Sequence, residues 1–248
     1  MLQVCLNGSR GPGDSAAVPM SPDSLAASAA AAVAAGAREI RVHPRTPCGR
    51  PSLSPRVLAP VLAALDAAVG AGAQHGGPGA RTGAPVRITT AATAEPDAER
   101  RVERVLSWAV LPGLVSVDWH EPGAEATAAA LLSRGIPVEA ALWSGTDGPG
   151  RFARSPLAPR VARVLARAHG PADAAEERAA PLLTGIDRTA GTPLLLHGVD
   201  GGAWPVLRLA RRLGLAGRIG LEDTLLLPDG TPARSNAELV AAAVADTP

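Results

Sequence analysis

Short apolar runs alternate along the chain with Ala-rich segments that carry helix signals. The clearest of these signals is an N-cap at Ser21 with Pro22 at the first helical position. The apolar runs that we predict as strands cover residues 2–6, 39–43, 86–90, 114–117, 138–142, 161–166, 194–197 and 218–221. The predicted helices cover residues 25–35, 55–69, 97–110, 123–133, 172–183, 203–213 and 236–245.

Eight strand candidates separated by helices predict an α/β fold, a (β/α)8 or TIM barrel that forms a single domain over residues 1–248. A doubly wound open sheet is the alternative, but no G-x-G-x-x-G motif follows the first strand. The Gly-rich tract 70–83, which contains His75, is predicted as a flexible loop. Residues 144–159 are predicted as an irregular loop with at most a short helix.

The composition excludes several classes of function. All 24 basic residues are Arg, and the 23 acidic residues are interleaved with them to give a net charge of +1. Because a nucleic-acid-binding surface needs a basic stripe, we expect no nucleic-acid partner. The absence of Lys excludes Schiff-base aldolases and pyridoxal-phosphate enzymes, which need a lysine amine.

The hydrophobic runs and the cysteine count predict the compartment. The chain lacks an apolar run of the ~18 residues that suggest a membrane helix, so we expect no membrane partner. Cys5 and Cys48 are too few for a disulfide framework or a metal cluster. We therefore expect a cytoplasmic protein.

Polar side chains concentrate at the carboxyl ends of the predicted strands, where the chemistry of a TIM barrel lies. Four of the five histidines lie at or near these ends. The polar residues there are Asn7, Arg10, Arg41, His43, Thr89, Ser116, Asp118, His120, His197, Glu222 and Asp223. This concentration predicts an active site at that end of the barrel.

The most specific motif is R-I-G-L-E-D at residues 218–223, followed by S-N-A-E-L-V at residues 235–240. The run V-H-P-R at residues 42–45 precedes G-R-P-S at residues 49–52, and weaker motifs are Asn7-Gly8 and the segment 116–123. In this order they span nearly the whole chain. Together they resemble the β-keto acid cleavage enzymes, whose type member is 3-keto-5-aminohexanoate cleavage enzyme.

The resemblance implies a zinc-dependent TIM barrel, often a homo-oligomer, in which a β-keto acid and acetyl-CoA give acetoacetate and a new CoA thioester. His43 and Glu222 match metal ligands of the family, and Arg218 and Asp223 match its catalytic Arg and Asp. Thr89 matches a hydroxyl residue on the substrate side, where it would aid proton transfer. A Lewis-acid metal, an Arg fork and a carboxylate base suit cleavage next to a ketone.

The substrate-binding positions include two departures from the family. Asn7 and Ser116 match substrate contacts, but the carboxylate of the type member at position 10 is Arg10 here. The first histidine of the family's H-x-H pair is Arg41, whose guanidinium cannot ligate a metal at neutral pH. The reversed charge at position 10, together with Arg41, predicts a small β-keto acid with an anionic tail as the substrate.

Two arrangements of the metal position follow from the loss of that histidine. In the first, His43 and Glu222 hold zinc, His120 or His197 completes the ligand set, and the ligating atoms of His43 and Glu222 lie about 3–4 Å apart. In the second, Arg41 takes the place of the metal and pairs with Glu222. The cost of an unpaired arginine in a shielded barrel mouth favours the second arrangement.

Two other functions remain open at this point. One is a catalytically altered or inactive barrel that binds a small organic acid. The other is a metal-independent hydrolase or isomerase that uses Asp223 as its base and arginines as oxyanion clamps.

Overall fold

A computed structural model describes residues 1–70, 83–186 and 191–246; most of the predicted Gly-rich loop, including His75, lies outside these residues. Eight parallel strands form a closed barrel in chain order, in which β1 also pairs with β8. The strands are β1 (Leu2–Cys5), β2 (Glu39–Val42), β3 (Val86–Thr89), β4 (Val115–Asp118), β5 (Val138–Trp143), β6 (Arg163–Ala168), β7 (Leu194–Gly198) and β8 (Ala216–Ile219). The predicted TIM barrel is confirmed.

Helices follow the strands around the barrel. They are α1 (Pro22–Ala34), α2 (Pro55–Val69), α3 (Ala98–Leu106), α4 (Ala124–Ser133), α5 (Gly148–Ala153), α6 (Ala175–Gly185), α7 (Ala203–Arg212) and α8 (Asn236–Ala245). The predicted N-cap Ser21 accepts a hydrogen bond from the backbone N–H of Ser24 and forms a capping box with it. Among the described residues, no helix combines the length and apolar character needed to cross a membrane.

Two strands are shifted by two residues from their predicted positions, whereas the others differ from theirs by one residue at one or both ends. β8 begins at Ala216, two residues earlier than predicted, because its pairing with β7 and β1 overrides the low strand propensity of Ala216 and Gly217. β6 runs on to Ala168, two residues beyond its predicted end. Arg167 therefore belongs to β6. Its neighbour Ala166 packs in the hydrophobic core between the strands and the helices, so by strand alternation the Arg167 side chain faces the barrel interior.

The barrel interior is held together by a buried network of ion pairs rather than by apolar packing alone. The Glu39 carboxylate accepts hydrogen bonds from Arg87 at 2.8 Å and from Arg163 at 2.7 Å. The Glu139 carboxylate accepts from Arg163 at 2.6 Å and from Arg41 at 3.0 Å. Arg41 on β2 therefore pairs with Glu139 on β5, and this pair balances the charge of Arg41 within the barrel interior.

Candidate active site

Cys5, His43 and Glu222 converge at the carboxyl ends of β1, β2 and β8. Nε2 of His43 lies 3.5 Å from Oε2 of Glu222, and the Cys5 thiol donates a hydrogen bond to that same oxygen. One donor atom from each of the three residues lies within 4.8 Å of the other two, and all three side chains are buried. Nε2 of His43 has no hydrogen-bond partner among the described residues. The three residues thus offer sulfur, nitrogen and oxygen to a common point.

Local backbone contacts fix these residues. The Asn7 side chain both donates to the carbonyl of His43 and accepts from its N–H, each at 2.9 Å. Gly8 adopts φ +56°, and a Cβ there would lie 2.1 Å from Cγ of Glu222. Asn236 bridges the backbone segments that follow β1 and β8. The glycine therefore makes room for Glu222, while the two asparagines hold the three strand ends together.

Electrostatics keep the two predicted ligands in the forms that a metal binds. Burial raises the pKa of Glu222, but the neighbouring Arg218 and His43 lower it well below its ordinary value. Burial, together with the charges of Arg41 and Arg218, lowers the pKa of His43 by more than Glu222 raises it. At neutral pH Glu222 is therefore a carboxylate and His43 a neutral imidazole, the protonation states that metal coordination requires.

Arg218, Asp223 and His197 form a second buried group beside the first. Nη2 of Arg218 donates to Oδ1 of Asp223 at 2.6 Å, and Nδ1 of His197 lies 3.2 Å from the same oxygen. Burial and the charge of Arg218 lower the pKa of His197 to about 4, so its imidazole is neutral. Burial raises the pKa of Asp223, but Arg218 and His197 lower it below its ordinary value. The group holds an ionised carboxylate in a fixed orientation.

Arg218 also connects the two groups. Its Nη2 lies 3.5 Å from Oε2 of Glu222, while its Nη1 is buried without a hydrogen-bond partner in the described part of the chain. Thr89 and Ser116 are register partners on β3 and β4, and the Ser116 hydroxyl is likewise buried and unpartnered. These unsatisfied donors can receive a polar ligand.

Several predicted site residues have other partners. Arg41 binds Glu139, so the expected Arg41–Glu222 pair is wrong. Arg10 forms an ion pair with Asp200. Asn7 is engaged by the backbone of His43, so it positions that residue.

The two additional ligand candidates lie apart from Cys5, His43 and Glu222. His197 contacts Asp223 instead. The His120 ring stacks on Trp143, with ring centroids 4.5 Å apart. Neither histidine belongs to the group of potential metal ligands, so the expectation that one of them completes the set is not met by this geometry.

Two residues of the site escaped the sequence analysis. Cys5 was set aside because two cysteines form no cluster by themselves, although strand alternation places it on the same face as Gln3 and Asn7. Arg167 was missed because β6 was predicted to end at residue 166. A strand extended by two residues would have placed Arg167 at the barrel mouth.

The closed barrel, with its polar residues gathered at the strand ends, defines a TIM-barrel protein with a candidate active site in the expected place. The sequence also matches the family model described as beta-keto acid cleavage enzyme over residues 1–143 and 159–246. The chain therefore belongs to the β-keto acid cleavage enzyme family, which confirms the resemblance of its motifs. No curated protein matches the chain.

Solved structures share the fold at low sequence identity. The binary complex of ObcA with oxaloacetate matches at 12% identity with a TM-score of 0.69, and the match covers 91% of this chain and 62% of that one. The ternary complex of ObcA with a C4-CoA adduct and oxalate gives 14% identity and the same TM-score and coverage. (S)-3-O-geranylgeranylglyceryl phosphate synthase from Thermoplasma acidophilum matches at 16% identity and a TM-score of 0.52, covering 99% of this chain and 92% of that one. The chain thus spans about three fifths of the ObcA length.

Proposed function

We propose that the chain cleaves a small β-keto acid by exchanging an acyl unit with acetyl-CoA, a retro-Claisen-type reaction that yields a new CoA thioester. Membership of the β-keto acid cleavage enzyme family supports the reaction in general. The observation that carries the proposal is the approach of Arg218 to both Asp223 and Glu222 at the barrel mouth. The solved complexes of ObcA, one with oxaloacetate and one with a C4-CoA adduct, add support for the two substrate classes.

The residues present fit a divalent metal. His43 has an unpartnered buried Nε2, Glu222 is ionised beside it, and Cys5 supplies a third donor where the family pattern has lost a histidine. Cys5 is the register partner of Arg41, so the thiol lies on the strand next to the lost ligand. Three protein donors of this kind suit catalytic Zn²⁺. When bound, the metal supplies Lewis-acid polarisation of the keto oxygen.

Asp223 is the proposed base. Its carboxylate is held by Arg218 and His197 in one orientation, and it would accept the proton from the carbon between the keto and carboxyl groups. The free Nη1 of Arg218 would bind the substrate carboxylate or the developing oxyanion. The hydroxyls of Thr89 and Ser116 line the opposite strands and would orient the substrate.

Product analysis tests this proposal. The purified protein is incubated with acetyl-CoA and a panel of β-keto acids, and mass spectrometry detects acetoacetate and the new CoA thioester. Asp223→Asn should lower kcat by about 10²–10⁴. Asp66→Asn, on the outer helix α2, is the matched control and should leave kcat unchanged. A protein that binds β-keto acids but forms no thioester with any of them is a binding barrel, and the proposal is then wrong.

A further inference from the structure

Four side chains form a layered cluster over the ends of β4, β5 and β6. The Trp143 ring contacts both His120 and His169, with ring centroids 4.5 and 5.0 Å away, and Cζ of Arg167 lies 4.2 Å from the centre of the Trp143 ring. Asp118 anchors the indole by accepting a hydrogen bond from its Nε1 at 2.8 Å. We call His120, Trp143, Arg167 and His169 the Trp143 cluster.

The Trp143 cluster contains polar atoms that lack partners. Nε of Arg167, Nδ1 of His120 and Nε2 of His169 are all buried and make no hydrogen bond within the described residues. The Arg167 side chain is only 19% exposed, and its closest ion-pair contact is Oε1 of Glu222 at 4.0 Å, which is too far for a hydrogen bond. Three buried, unsatisfied donors or acceptors at one place can receive a polar ligand.

Arg167 differs from Arg41, Arg163 and Arg218 in its distance from the nearest carboxylate oxygen, which is 4.0 Å. Arg41, Arg163 and Arg218 each have a carboxylate oxygen within 3.0 Å. Glu222 does not need Arg167, since it lies nearer to both Arg218 and His43. A largely buried guanidinium without a hydrogen-bonded carboxylate is costly, and a bidentate carboxylate is the ligand that best fits its fork.

We propose that Arg167, supported by the Trp143 cluster, binds a second carboxylate of the substrate, so that the preferred substrate is a β-keto dicarboxylic acid. The inference rests on the proposed function. It replaces the expectation that Arg10 and Arg41 select an anionic tail, because both already have carboxylate partners. The phosphates of CoA are the other source of an anion, but the whole pantetheine arm separates them from the thioester, whereas Arg167 lies beside Glu222 at the reacting end.

Binding of unreactive acids tests the subsite without requiring turnover. Succinate and butyrate have similar length and differ by one carboxylate, and calorimetric titration of each gives the preference for the second charge. We expect the wild-type protein to bind succinate about 10- to 100-fold more tightly than butyrate, as one charged hydrogen-bonded contact implies. Inorganic phosphate and 3′,5′-ADP serve as the phosphate arms of the same experiment.

Three variants make the test specific. Arg167→Met keeps the packing on Trp143 but removes the charge, and it should abolish the preference for succinate while leaving butyrate binding unchanged. Arg167→Lys keeps the charge without the fork and should retain part of the preference. Arg160→Met removes an exposed arginine and should match the wild type.

The outcomes separate this inference from the proposed function. An Arg167-dependent preference for succinate in a protein without turnover supports the subsite although the proposed function has failed. Equal binding of succinate and butyrate by the wild type overturns the inference, even if β-keto acids are cleaved. Loss of ADP or phosphate binding in Arg167→Met, with the succinate preference intact, also overturns it and assigns Arg167 to CoA.

Discussion

Cys5 and Arg41 are register partners on β1 and β2, yet their side chains bind different carboxylates. The Cys5 thiol contacts Glu222 at the barrel mouth, whereas Nη1 of Arg41 lies 3.0 Å from Oε1 of Glu139 in the interior. Arg41 is therefore engaged with Glu139 and not with Glu222, while Cys5 on the neighbouring strand joins the group of potential metal ligands.

The sulfur donor predicts a spectroscopic signature. Co²⁺ bound by the wild-type protein should show sulfur-to-cobalt charge-transfer absorption in the near ultraviolet, and Cys5→Ser should lack it. Cys5→Ala should weaken Co²⁺ binding by more than the ~10–100-fold that loss of an outer-shell partner costs. Cys48→Ser is the control, because Cys48 is exposed, and it should keep the absorption. An identical spectrum in Cys5→Ser would show that the thiol is not a ligand.

The two thiols should differ in reactivity. Hydrogen bonds from Thr46 and Arg50 lower the pKa of the exposed Cys48 to about 7. Burial and the nearby Glu222 raise the pKa of Cys5 well above its ordinary value. Alkylation by iodoacetamide, followed by peptide mass spectrometry, should modify Cys48 with a rate midpoint near pH 7 and modify Cys5 only after unfolding. Rapid alkylation of Cys5 in the folded protein would contradict its burial.

Glu139 should be more important for stability than any surface ion pair. Glu139→Gln leaves the buried Arg41 and Arg163 without their shared carboxylate and should lower the free energy of unfolding by about 3–5 kcal/mol. Glu176→Gln breaks an exposed pair with Arg212 and should cost only about 0–1 kcal/mol. Denaturant titration measures both. Equal losses in the two variants would contradict the role of the interior network.

His197 should make the fold sensitive to acid. Its pKa is lowered from 6.5 to about 4 in the folded protein, so between these values only the unfolded chain takes up the proton. Stability is therefore lost as the pH falls from 6.5 to 4, by up to about 3 kcal/mol. His197→Asn keeps a donor for Asp223 but does not titrate, so its stability should fall less over this range. Parallel stability–pH curves for the two proteins would refute the assignment.

Much of the fold follows from the sequence because each strand and helix carries its own local signal. α2 and α8 begin and end where they were predicted, since Pro55 and the N-cap Ser235 mark their starts. The predicted spacing of His43 and Glu222 agrees with the 3.5 Å between their side chains. Barrel closure brings the ends of β2 and β8 to one mouth, which makes that approach predictable from the strand order.

The remaining features depend on contacts between distant parts of the chain. Glu139 is 98 residues from Arg41 and lies across the barrel on β5, so no local pattern marks it as the partner. Arg167 lies near the end of β6, in an Ala-Arg-Ala sequence of low strand propensity, and pairing with β5 and β7 extends the strand that far. Both cases concern side chains whose partners are set by strand register.

The most direct test compares zinc content and turnover in the same preparations of the wild-type protein and of Glu222→Gln. We expect one tightly bound zinc per chain and formation of a CoA thioester in the wild type. In Glu222→Gln we expect loss of both in a chain that still folds, because the carboxylate is a ligand of the proposed metal. Zinc retained by Glu222→Gln, or undiminished thioester formation after the wild type is stripped of metal, would contradict the account.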